Sequence, residues 1–88
     1  MILELPYYPW SREDYREYVR RKLHDMPTPP YNFEVVIPLV DGEFNSDAIR
    51  GMLSLVQDGF LCPNYSWSDR IGERVFRMTY KRRYGNWA

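Results

Sequence analysis

"YNFEVVIPLVDGEF", residues 31–44, is the stretch on which the fold turns. Read as strand and turn, it makes the chain a mixed α+β domain. Only residues 38–44 leave room for a further helix ahead of the one that follows. Val35, Val36 and Ile37 are β-branched and adjacent, which favours extended backbone. Pro38 has no N–H to give to a ladder, so the strand is expected at a sheet edge or to end at Ile37. "DGEFNS" then reads as a turn leading into a helix start. With Asn45 as N-cap, Phe44 and Ile49 fall at the hydrophobic-staple positions.

Downstream, "NSDAIRGMLSLVQDGFL", residues 45–61, reads as a helix with both ends marked. Ile49, Met52, Leu53 and Val56 make an apolar stripe, widened by Ala48 and Leu55. Gly59 fits the left-handed C′ position, which puts Phe60 at C″ against Leu55. Gly51 costs about 1 kcal/mol relative to alanine mid-helix, so it is expected to mark a close contact. Two strands follow, "FLCPNYSW" and "RVFRMTYKR", joined by the polar turn "SDRIGE". In the second, Phe76, Met78 and Tyr80 share one face, while Val75, Arg77, Thr79 and Lys81 share the other.

Upstream, Ser11 opens a first helix, with acidic residues in its first turn. Tyr15, Val19, Leu23 and Met26 form its apolar stripe, with Tyr18 alongside. Glu17 is spaced to reach Arg20 or Arg21. Pro27 ends the helix, and "MPTPP" is a stiff connector. Residues 1–10 form an extended, aromatic and proline-rich arm, expected to pack on the domain or on a partner. The predicted architecture is therefore an arm (1–10) and a single α+β domain (11–88). Its two helices pack on about three antiparallel strands, in the order helix, strand, helix, hairpin.

Composition narrows the function. Eighty-eight residues with 44% apolar and 27% charged side chains suit one globular domain. Such a chain buries only roughly 60–65% of its unfolded surface. Eight Tyr, four Phe and three Trp compensate with large buried areas and also suit a binding surface. Twelve basic and twelve acidic residues balance, which counts against a strong non-specific nucleic-acid binder. The single Cys62 cannot form an internal disulfide, and no run of about 18 apolar residues is present. The expected setting is cytoplasmic. One Cys and one His cannot complete a zinc site, the five glycines form no phosphate loop, and no cofactor is expected. His24 and Cys62 are the only candidates for a nucleophile–base pair, and no enzymatic activity is expected.

The spacing in "LSLVQDGFL" followed by "GERVFRMT" resembles the last third of a winged-helix DNA-binding domain, over residues 45–83. The resemblance implies a recognition helix, with Arg50, Ser54 and Gln57 facing DNA, and a wing offering Trp67, Arg70 and Arg74. The basic tail adds Lys81, Arg82 and Arg83, cations among aromatic rings that suit phosphate contact and base stacking. A winged helix also needs a helix just before its recognition helix, where residues 31–44 read as strand and turn. The implied function is a non-enzymatic regulatory module that contacts DNA. The alternative is a small protein-binding module, an inhibitor or adaptor, that works through Leu5, Tyr7, Tyr8 and Trp10. Homodimerisation through the arm is a variant of that alternative.

Overall fold

The computed structural model describes residues 2–82, with residues 65–67 as backbone only. The chain runs β1 (Ile2–Glu4), α1 (Arg12–His24), β2 (Tyr31–Val40), β3 (Glu43–Phe44), α2 (Ser46–Gln57), β4 (Leu61–Arg70) and β5 (Glu73–Tyr80). One sheet has the order β1-β2-β5-β4, with the two-residue β3 added beside the end of β2. Residues 31–44 are therefore strand and hairpin, and strand precedes α2 where a winged helix would carry a helix.

The sheet has five strands rather than about three. The extra full partner comes from the arm. Ile2, Leu3 and Glu4 pair parallel with Glu34, Val35 and Val36, and Leu5 N–H donates to Val36 O. The arm thus packs on its own domain, and Leu3 and Leu5 are buried.

That pairing makes β2 a central strand, contrary to the edge position expected from Pro38. The strand continues to Val40, and Pro38 lies opposite Glu73 of β5. The reason is the two-residue alternation of strand backbone. Val36 O faces β1 and Leu39 N–H faces Gly72 O, on the β5 side. Pro38 therefore turns its nitrogen toward the β1 side. There β1 has already ended, and β3 begins its pairing only at Leu39. No ladder bond is lost.

The helices lie over one face of the sheet. That face carries Phe33, Val35 and Ile37 from β2, Met78 and Tyr80 from β5, and Leu61 from β4. Tyr15, Val19 and Leu23 of α1 complete the core, with Met26 just beyond it and Ala48, Met52 and Leu55 of α2. Phe76 packs at its margin, so the expected β5 face holds. The opposite face carries Asn32, Glu34, Val36, Cys62, Val75, Arg77 and Thr79, and neither helix covers it. The β4–β5 turn is two residues, Ile71 and Gly72, much tighter than "SDRIGE" suggested. Gly72 has φ +78°, a conformation that costs glycine nothing.

The helix ends match their sequence signals. Ser11 Oγ accepts from Asp14 N–H and caps α1. Glu17 takes both Arg20 and Arg21. At the end of α2, Gly59 N–H donates to Val56 O and Phe60 N–H to Leu55 O, around Gly59 at φ +83°. This is a Schellman closure.

The buried side of α2 is displaced from the expected stripe. Ala48, Gly51, Met52, Ser54 and Leu55 are buried, whereas Leu53 faces outward. Contact with α1 sets this rotation. A Cβ on Gly51 would lie 2.8 Å from Arg12 O, Arg16 N and Tyr15 Cβ. Two of those three atoms are backbone and cannot step aside. Only glycine lets the helices approach this closely.

Gly51→Ala is expected to destabilise the fold by at least about 1 kcal/mol, because overpacking outweighs the better helix propensity of alanine. Denaturant unfolding measures this directly, and a stabilised variant would refute the close crossing.

Candidate functional site

After Leu5 the arm leaves the sheet and folds back over α1, where one side chain holds it. Tyr15 is fully buried, and its hydroxyl sits among four polar groups. It accepts from Tyr8 N–H at 2.9 Å and from Asn45 Nδ2 at 2.9 Å. Its own proton is shared between Tyr8 O at 2.7 Å and Pro6 O at 2.8 Å. Asn45 Nδ2 also donates to Tyr8 O at 2.8 Å. The Asn45 Oδ1 caps α2 by accepting from Asp47 and Ala48 N–H. Three segments thus meet at one phenol: the arm, α1 and, 30 residues further along the chain, the start of α2. Trp10 packs over the same place, with ring centroids 5.1 Å from Tyr8, 5.2 Å from Tyr15 and 5.6 Å from Tyr18.

The fold-back creates a groove of about 380 Å³. Tyr7, Tyr8 and Pro9 form one wall, and Phe44, Asn45 and Ser46 form the other. Tyr7 is 41% exposed and Tyr8 52%. The same end of the sheet presents two more apolar side chains. Leu39 pairs with Phe44, and its N–H reaches Gly72 O, which sets the β2–β3 and β4–β5 turns side by side. Val40 is exposed there, and Ile71 is fully exposed at its turn. A second groove, along α1, is lined by Trp10, Asp14, Glu17, Tyr18 and Arg21. Its charges are largely matched from within. Arg20 and Arg21 hold the Glu17 carboxyl below its usual range, and Lys22 lies over the Tyr18 ring at 5.6 Å.

The residues expected to face DNA differ in their surroundings. Ser54 is only 9% exposed. Its hydroxyl donates to Gly51 O at 2.7 Å and accepts from Arg16 Nη1 at 3.0 Å, against α1. The expectation that it faces outward is corrected by the Gly51 crossing, which rotates it inward. Arg74 is held by Asp69 through two hydrogen bonds and lies over the Phe44 ring at 4.6 Å. Arg82 donates to Asp58 O and Gly59 O and stacks on Phe60, closing the end of α2. Arg70 pairs loosely with Glu73 at 3.8 Å. Arg50, Gln57 and Lys81 are exposed. Trp67 is described by its backbone alone, and Arg83 lies outside the described residues.

Of the four residues expected to face a protein partner, Leu5 is corrected. It is 1% exposed and belongs to the core, because β1 carries it under α1. Tyr7 and Tyr8 stay at the surface, with Trp10 half-buried beside them. Phe44, Val40 and Ile71 were not among the expected site residues. Ile71 had a readable signal, an isoleucine at the centre of an otherwise polar turn. Phe44 was legible only as a staple residue; it and Ile49 both pack on the core.

His24 ends α1 on the helix side of the sheet. Cys62 pairs with Thr79 on the uncovered side, so the sheet separates the two. Among the described residues no three His, Cys, Asp or Glu side chains are grouped to hold a metal, and no helix is long and apolar enough to cross a membrane. No protein-family model, curated protein or solved structure matches the chain.

The buried Tyr15 phenol is held above its ordinary 10.0, first by desolvation. The folded state therefore keeps this proton longer than the unfolded chain does. The stability contribution is complete below pH 10 and is lost as pH rises through the folded value. Tyr15→Phe should cost about 1–3 kcal/mol at neutral pH by leaving Tyr8 N–H and an Asn45 amide proton short of a partner. It should also show a shallower alkaline fall in Tm than the parent. Thermal melts from neutral pH upward test both, and parallel curves of equal stability would contradict the clamp.

Proposed function

We propose that this protein is a non-enzymatic protein-binding module that docks its partner at the end of the sheet, in the groove between the folded-back arm and the start of α2. The observation that carries this reading is the Tyr15 clamp. It fixes Tyr7 and Tyr8 at the surface beside Phe44, on backbone that is already ordered. Aromatic side chains held in advance give contact area at little entropic cost. Val40 and Ile71 are exposed at the same end of the sheet, outside the groove itself. Tyrosine and tryptophan are typical anchors of protein interfaces. A lone, unpaired Cys62 suits a cytoplasmic setting.

The winged-helix reading has less support. It keeps Arg50, Gln57, Arg70 and Lys81 as contacts, but Ser54, Arg74 and Arg82 have structural duties. Asp47 in the first turn of α2 would meet phosphate with like charge, while Asp58 at its C-cap is paired with Arg16.

Affinity capture from the native host with the full chain, compared with a Tyr7→Ala/Tyr8→Ala variant, tests the proposal. The clamp uses the Tyr8 backbone, so the variant should fold with a Tm close to the parent's. One protein should be retained by the parent and lost by the variant. Neither should be held by duplex DNA at about 50 mM salt, where phosphate contacts are strongest. Equal capture by both chains, or salt-sensitive DNA retention abolished by Lys81→Ala, would overturn it.

A further inference from the structure

We propose that the segment docking in the arm–α2 groove is positively charged, with lysine or arginine side chains beside an apolar anchor. This rests on the docking reading above and adds the chemistry of the partner. Three carboxylates, Asp41, Glu43 and Asp47, flank the groove along the chain that forms its second wall. None makes an ion pair among the described residues. Asp47 is close enough for its charge to act on the Tyr15 hydroxyl.

The nearby cations do not neutralise this rim. Arg74 lies against Phe44 but is matched by Asp69, with Nε 2.7 Å from the carboxylate. Arg50 stands one turn further along α2, exposed and without an ion pair, so the carboxylates outnumber it. Elsewhere Glu17, Asp58, Asp69 and Glu73 pair with arginines, while Glu4, Asp14, Asp25 and Glu34 make no ion pair among the described residues. Asp41, Glu43 and Asp47 differ from those four in adjoining the wall of the groove that holds the exposed Tyr7 and Tyr8. Tyrosine faces attract cations through the ring quadrupole, adding to the carboxylate field. Such a rim steers a basic partner and repels an acidic one or a phosphate backbone. The exposed side chains of Tyr7 and Tyr8, in one groove with Phe44, give the partner's apolar anchor a place to bury.

Three synthetic peptides test this. They share one skeleton of leucine and phenylalanine at alternate positions, with lysine, serine or glutamate between. Each is titrated into the full-length, isotope-labelled protein while backbone amide shifts are followed. The lysine peptide should move the amides of Tyr7, Tyr8 and residues 44–47, and bind tighter than the serine peptide, with the glutamate peptide weakest. Its affinity should fall as salt shortens the screening length from about 30 Å to about 8 Å. Glu43→Gln with Asp47→Asn, an exposed and a half-buried carboxylate that make no ion pair, should weaken it about fivefold while the melting temperature stays near the parent's, as expected for two surface charge contacts. Equal binding of all three peptides at these amides would overturn the charge preference and leave the docking surface standing. No shift at these amides with any peptide at about 1 mM would overturn both.

Discussion

The phenolic oxygen of Tyr15 is the point on which this small domain closes. It is buried, so each hydrogen bond it could make must be supplied by protein, and a missing one would cost more than a made one contributes. The arm supplies Tyr8 N–H and two carbonyls, and α2 supplies the Asn45 amide. Asn45 connects this network to the first turn of α2, since its Oδ1 caps the helix while its Nδ2 holds the arm. The geometry requires α1 and α2 to lie almost backbone to backbone. Gly51 permits that approach, and the Arg16 bridge to Ser54 and Asp58 reinforces it. A loosened crossing would move Asn45 away from Tyr15 and free the arm.

The helices were legible because their signals are local. Caps at Ser11, Asn45 and Gly59 satisfy backbone groups within a few residues, and the stripe at Tyr15, Val19, Leu23 and Met26 follows a single period. The face of β5 was legible for the same reason. What escaped depends on pairings distant in sequence. A three-residue strand has no period to read, and β1 exists only because β2 leaves a free side beside Glu34–Val36. Pro38 pointed to an edge because its missing N–H is visible in the sequence, whereas the side it faces is not. Ser54 pointed outward on a helical wheel centred on the large apolar residues. The true centre lies toward Gly51, where absence of a side chain is the packing feature. Within the site, Tyr7, Tyr8 and Trp10 could be read from composition alone. Their union with Phe44 depends on the arm's return path, which no local pattern encodes.

The distribution of charge explains why a chain of zero net charge presents distinct surfaces. Arg16, Arg20, Arg74 and Arg82 are occupied with carboxylates or helix-end carbonyls and hold the scaffold together. Cations that look like a nucleic-acid footprint in the sequence are thereby partly consumed in folding. The carboxylates at the β2–β3 turn and the first turn of α2 are not. Asp47 has a local reason to be there, since acid suits a helix N-terminus. Asp41 suits a turn that needs positive φ, here 52°, although side chains other than glycine adopt it rarely. These local preferences leave carboxylates without ion pairs next to the wall of the groove that holds the exposed tyrosines.

The arm is already fastened in the free protein, so the groove exists before any partner arrives. Hydrogen–deuterium exchange of the Tyr8 amide, compared with that of Leu5 in the sheet, measures this most directly. Tyr8 should be protected comparably to Leu5 in the parent, and should lose that protection selectively in Tyr15→Phe with Leu5 still protected. A Tyr8 amide that exchanges as fast as an unstructured peptide in the parent protein would contradict it.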